Sequence, residues 1–116
     1  MDEKYHLVNL VAFDDMIQRS ERVLPKLKEG SSQQSLVKNR IKALKIAKMA
    51  CEAHTKMTQL SEIYSNKEIE DAIAPIQSLI SKSEKVLLKV KPDSWQYRMI
   101  ERNISALKYA LEILKP

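Results

Sequence analysis

Residues 14–48 read DDMIQRSERVLPKLKEGSSQQSLVKNRIKALKIAK, and residues 77–111 read QSLISKSEKVLLKVKPDSWQYRMIERNISALKYAL. Laid over one another at a shift of 63 positions, without a gap, they agree at 14 of 35 positions. Two unrelated amphipathic helices share little beyond an apolar stripe. Here polar residues recur as well, among them Ser20/Ser83, Glu21/Glu84, Ser31/Ser94 and Gln33/Gln96, and the match runs on through the turn. The block IxALKxA, at 41–47 and 104–110, supplies five further identities. The pattern reads as an internal duplication, with repeat one over about 1–60 and repeat two over about 64–116 of a single domain, 1–116.

Each copy reads as helix–loop–helix. In the first, Leu10, Phe13, Ile17, Leu24 and Leu27 recur at helical spacing, widened by Met16 and Val23. The run is expected to end around Glu29-Gly30, where Gly suits the position past a helix, with Ser31 or Ser32 capping the next. The second stripe is Leu36, Val37, Ile41, Ala43, Leu44, Ala47, Ala50 and Cys51. Copy two repeats the spacing with Ile73, Ile76, Ile80, Leu87 and Val90, turns at Lys91-Pro92-Asp93, and resumes with Ile100, Ile104, Leu107, Leu111 and Leu114. Asp93 with Gln96, and Ser65 with Glu68, have the spacing of capping boxes. Pro25 and Pro75 interrupt helical patterns, each a place for a kink or a start. The third helix is thus expected to begin at Ser65 or at Pro75, the latter leaving 61–74 as a short helix or connector. Short connections then predict an all-α, antiparallel up-down-up-down four-helix bundle with helices of about 22–28 residues.

Composition agrees with that architecture. One Gly and four Pro in 116 residues leave little material for tight hairpins, and 44% hydrophobic with 30% charged residues suits a packed globule. The single cysteine, Cys51, excludes an internal disulfide framework and fits the cytoplasm. No apolar run nears the roughly 20 residues of a membrane span, and the start MDEKYH is not a signal peptide.

No segment matches a nucleotide-binding, zinc-protease or acyl-transfer signature, and one Gly cannot build a phosphate-cradling loop. The expectation is a non-enzyme without cofactors. Cys51 lies on the apolar stripe, a place for core packing rather than for a nucleophile. The net charge of +5 resides in 33–60, where six cations face one carboxylate. Lys38, Lys42, Lys45 and Lys56 cluster on one side of that helix, at about 100° per residue. Such a face either solvates the protein or meets a phosphate backbone, an anionic membrane or an acidic partner. Trp95 and Tyr97 stand at the second tip, where copy one has Ser32 and Gln34. They are candidate interface anchors, unless the indole plugs the end of the core.

The two histidines give the sharpest site hypothesis. His6 and His54 lie equally far from Gly30, so an antiparallel hairpin brings them level, and the helical wheel turns both inward. With Cys51, Asp2 or Glu3 they are candidate zinc ligands, or a pair that repels on protonation. Water-facing histidines at helix ends are the competing reading.

The closing stretch WQYRMIERNISALKYALEIL, residues 95–114, resembles the last helix of short helical reading frames in Gram-positive bacteria and their phages, where a Trp leads an I-x-A-L-x-x-A-L helix. That family has no agreed activity, so the resemblance implies a bacterial or phage cytoplasm and assigns no residue a role. The reading that follows is a small non-catalytic bundle that binds another protein or itself, as an interaction or regulatory module. Its rivals are a nucleic-acid-associated protein using the lysine face and a metal- or ligand-binding bundle at His6 and His54.

Overall fold

The computed structural model describes the backbone over residues 3–115 and the side chains over residues 6–115. Four helices carry it: α1 Glu3–Val23, α2 Ser32–Thr55, α3 Asn66–Leu87 and α4 Trp95–Leu114, with 3-10 turns at Leu24–Lys26 and Leu60–Glu62. Among the described residues there is no strand.

Local chemistry explains where the helices stop. α1 ends at Val23, well before the expected Glu29-Gly30, because Pro25 offers no N–H and its ring would strike the carbonyl of Glu21 in a continued helix. The chain tightens into the 3-10 turn and leaves through an extended Leu27. Gly30 then takes φ of +79°, open to Gly at no steric cost, and gives its N–H to Gln34 Oε1 at 2.9 Å. Ser31 Oγ accepts the Gln34 N–H at 3.1 Å, capping α2. At the second tip Ser94 Oγ accepts the Tyr97 N–H at 3.2 Å. The two serines also donate their N–H groups alike, to Lys28 and Lys91 carbonyls, each at 3.1 Å. The expected Asp93–Gln96 box is therefore corrected: the cap falls one residue later, on Ser94.

The Ser65–Glu68 box does form. Ser65 Oγ accepts the Glu68 N–H at 3.1 Å, and Glu68 Oε1 accepts the Ser65 N–H at 3.0 Å. Hence α3 starts at Asn66 rather than at Pro75, and Pro75 lies inside it. The helix tolerates this because Asp71, whose carbonyl loses its usual partner to Pro75, lines an open groove between α2 and α3 of about 420 Å³ that water can enter. At the far end of α2, Thr58 N–H reaches Ala53 O at 2.7 Å and Met57 N–H reaches His54 O at 3.2 Å. That pair of bonds forces the residue between them into a left-handed conformation, and here it is Met57, at φ +58°.

The core is centred on α2, which packs against α1, α3 and α4. Phe13, Leu44, Ile46, Ile76 and Leu107 are fully buried, among Ala43, Ala47, Ala50, Ala106 and Ala110. A single stripe on α2 was too narrow an expectation. Ile46 and Ala53 are buried too, because a helix with three neighbours has no dry and wet halves. Leu36 and Val23, placed on stripes by their spacing, are exposed near the first tip. The extents are 39 × 37 × 21 Å, so the short dimension admits two layers of helices about 10 Å in diameter.

Leu44 and Leu107 correspond across the 63-residue shift and both show no exposure. Leu44→Ala and Leu107→Ala should each cost about 2–5 kcal/mol in chemical denaturation, and a loss under about 0.5 kcal/mol at either would contradict the core described. Met57→Gly should raise stability by about 1 kcal/mol, because it removes the left-handed penalty of a side chain that is 93% exposed. An unchanged midpoint would show that the turn is not strained.

Candidate functional site

Cys51 sits in a setting that keeps its thiol protonated and out of contact with water. It is buried, and desolvation, followed by the neighbouring Glu52 charge, pushes its thiol up to about 12. The histidines part company. His6 is half-buried with Nδ1 3.0 Å from Thr55 Oγ1, and that hydroxyl donates to Cys51 O at 3.0 Å, so it accepts from Nδ1–H. His54 is exposed, not turned inward as its wheel position suggested, and meets Tyr109 of α4 edge-on at 6.0 Å. The level of the two helices was read to within one residue. That one residue is a rotation of about 100°, which puts Thr55 opposite His6 and sends His54 toward α4. Among the described residues no three His, Cys, Asp or Glu side chains come together as metal ligands. Asp2 and the Glu3 side chain lie outside the described residues.

The lysine face is largely spoken for by carboxylates. Lys42 Nζ lies 3.3 Å from Glu68 of α3, and Lys45 Nζ lies 3.7 Å from Glu21 of α1. Lys48, from the same basic segment, meets Asp14 at 2.7 Å, and this bond holds its ammonium above the usual lysine range. Glu68 is held below its ordinary value, first by the Ser65 N–H and then by Lys42. The cause is positional: α2 runs between α1 and α3, so its flanking lysines face the acids of both. Lys38 and Lys56 stay exposed, but 18 residues apart they stand about 27 Å from one another on the helix.

What remains is exposed apolar surface. Trp95, the first residue of α4, is 61% exposed, so the indole does not plug the core, while Tyr97 is half-buried. A second patch escaped the periodicity analysis. Leu7, Val8 and Val11 of α1 are all exposed and line a groove of about 260 Å³ with Arg102 of α4. Arg102 is fixed there by Asp15 at 3.2 Å and by Asn103 Oδ1 at 3.1 Å. On the wheel these three residues lie opposite Phe13 and Ile17. The signal was available: over its first turns α1 is apolar on both faces.

Cys51 supplies a direct check of its burial. The native thiol should stay unreactive toward a chromogenic disulfide reagent at pH 8 and react fully once the chain is unfolded. Its value is raised in the folded state, so its contribution to stability is complete below about 9, the ordinary value, and is lost as pH rises toward about 12. Rapid labelling of the native protein would contradict this.

No protein-family model, no curated protein and no solved structure matches this chain.

Proposed function

We propose that this chain is a non-catalytic interaction module built from two copies of one antiparallel hairpin, and that it binds a second copy of itself through the outer face of α1. Several relations 63 residues apart support the duplication. The caps at Ser31 and Ser94 are one pair. The ion pairs Glu21–Lys45, at 3.7 Å, and Glu84–Lys108, at 3.3 Å, are another. Phe13/Ile76, Ile41/Ile104 and Ala47/Ala110 are buried in both copies. The antiparallel sense follows from the order of contacts, since α2 partners rise from Lys45 to Lys48 to Thr55 as α1 partners fall from Glu21 to Asp14 to His6. The two nearly equal long dimensions favour hairpins crossed at a wide angle over one up-down-up-down column.

One observation carries the functional reading. The counterparts of Leu7, Val8 and Val11 in copy two are Glu70, Asp71 and Ala74, and all six are exposed. The hairpin fold is content with two carboxylates at these positions, so their replacement by Leu and Val answers to something outside the fold. A contiguous apolar patch beside an anchored guanidinium is the composition of an interface centre and rim. A lone buried thiol suits the cytosol for such a module.

The experiment borrows from copy two. Leu7→Glu with Val8→Asp installs residues that the same hairpin already accepts, and should leave the unfolding midpoint nearly unchanged. Sedimentation velocity should show concentration-dependent dimers for the native protein and monomers for the double variant. A native protein that stays monomeric at about 1 mM, where even a contact of about 4 kcal/mol registers, overturns the reading.

A further inference from the structure

Every ion pair among the described residues lies along the helices, and none involves a cation of the hairpin tips. The first tip, 22–38, carries Arg22, Lys26, Lys28 and Lys38 against Glu29. The second, 85–98, carries Lys85, Lys89, Lys91 and Arg98 against Asp93. All eight cations are exposed. Each tip is thus +3, while the remaining residues hold 12 basic and 13 acidic side chains. Both tips are positive, and their cations, unlike Lys42, Lys45 and Lys48 of α2, form no ion pair among the described residues.

The tips also converge. Arg19 Nη2 lies 2.9 Å from Met99 Sδ, and each residue is four positions inside its helix end, at Val23 and Trp95. At about 1.5 Å per residue, each end is only about 6 Å further along its axis. The end of α1 at one tip and the start of α4 at the other are therefore neighbours on one edge of the molecule. The two tips carry five exposed apolar side chains, Val23 and Leu36 on the first and Val86, Leu88 at 87% exposure and Trp95 at 61% on the second. Copy two has gained the most protruding of them, with Leu88 where copy one has Pro25 and Trp95 where it has Ser32.

We propose that this edge is a docking surface for an anionic lipid bilayer, with Leu88 and Trp95 entering the interface and the tip cations resting on the headgroup phosphates. The chemistry separates this occupant from the others. A nucleic-acid backbone would use the cations but has no place for four aliphatic side chains, and a single indole makes a poor stacking platform. A folded acidic protein would have to supply separate pockets for side chains spread over four helix ends and a turn. A bilayer accepts them without any. Indole rings settle at the headgroup level, aliphatic tips reach the acyl boundary, and lysines gain from negative surface potential. This surface is separate from the α1 face, and it holds whether or not the chain dimerises.

Trp95 is the only tryptophan, so its fluorescence reports the edge alone. Titration with phosphatidylglycerol–phosphatidylcholine vesicles at low salt should move its emission to shorter wavelength and carry the protein into the vesicle pellet. Pure phosphatidylcholine should do neither, and high salt should reverse both effects. Lys89→Glu with Lys91→Glu should weaken the partition by more than about tenfold while circular dichroism stays helical, as several-fold per cation at an anionic surface requires. Leu88→Ser should weaken it as well, whereas Leu7→Glu with Val8→Asp should not. The proposal is overturned if anionic vesicles leave emission and pelleting unchanged, or if neutral vesicles act equally. It is also overturned if the shift comes with duplex DNA or polyglutamate and not with vesicles, which would hand the edge to a nucleic acid or an acidic protein.

Discussion

The packing of α2 on α4 is the constraint from which the rest of the molecule follows. Both helices turn methyl-sized side chains into the core, Ala43, Ala47 and Ala50 from one and Ala106 and Ala110 from the other, with Leu44 and Leu107 beside them. Small residues let helix axes approach toward the lower end of the usual 8–10 Å range. With α2 and α4 packed together, α1 and α3 are the outer members, each seated against both of them. An outer helix buries only one side, so α1 and α3 present faces that the core does not constrain. The central helix has no such freedom. Its nine buried residues span much of its circumference, and the lysines between them reach past the neighbouring helices to water.

Electrostatics divides the surface in the same way. Lysines and arginines on the helix flanks meet carboxylates across the gap to the next helix, as Lys45 meets Glu21 and Lys108 meets Glu84. Exposed pairs of this kind are worth little individually, about 0–1 kcal/mol. Their consequence is that Lys42, Lys45 and Lys48 each face a carboxylate of a neighbouring helix. Among the described residues the tip cations meet no carboxylate in this way, and each tip holds a single acid, Glu29 or Asp93. A nearly equal count of charges elsewhere in the chain therefore leaves a strongly positive edge.

Much of this was legible in the sequence, and what was not has a common cause. Ser31, Ser94 and the Ser65–Glu68 box cap helices through bonds to residues three positions away, and local spacing suffices to read them. The paired core positions were readable because the two segments match in sequence at a shift of 63 residues. Asp93 was misread as a cap because Ser94 offers the same chemistry one step later. The end of α1 was read too far along because a stripe of leucines continued past Pro25, whose steric demand outweighed it. Ile46, Ala53, Leu36 and His54 all depend on how many helices surround α2 and at what rotation, and no periodicity within one helix holds that information. The candidate surfaces were half legible. Trp95 stood out as a gain in copy two, while Leu7, Val8 and Val11 stayed hidden beside a stronger stripe.

If the hairpins are copies, each position in one is a control for its counterpart in the other. Several buried positions hold the same residue, as with Ile17 and Ile80 or Ala43 and Ala106, as a close-packed core that penalises changes in volume favours. Exposed positions that differ carry no such penalty, and there the divergence has a direction. Copy one lost its carboxylates from the outer face of α1, or copy two acquired them, and copy two alone bears Leu88 and Trp95 at its tip. Val23 and Val86 form a third class, identical and yet exposed in both copies. Burial cannot account for that identity, nor can helix propensity, since Val is a mediocre helix former beside the Lys, Glu or Ala that an exposed helix end would otherwise favour. Both valines stand where their hairpins turn, among the unpaired cations. A contact made by the two tips together is the requirement that would hold both of them in place.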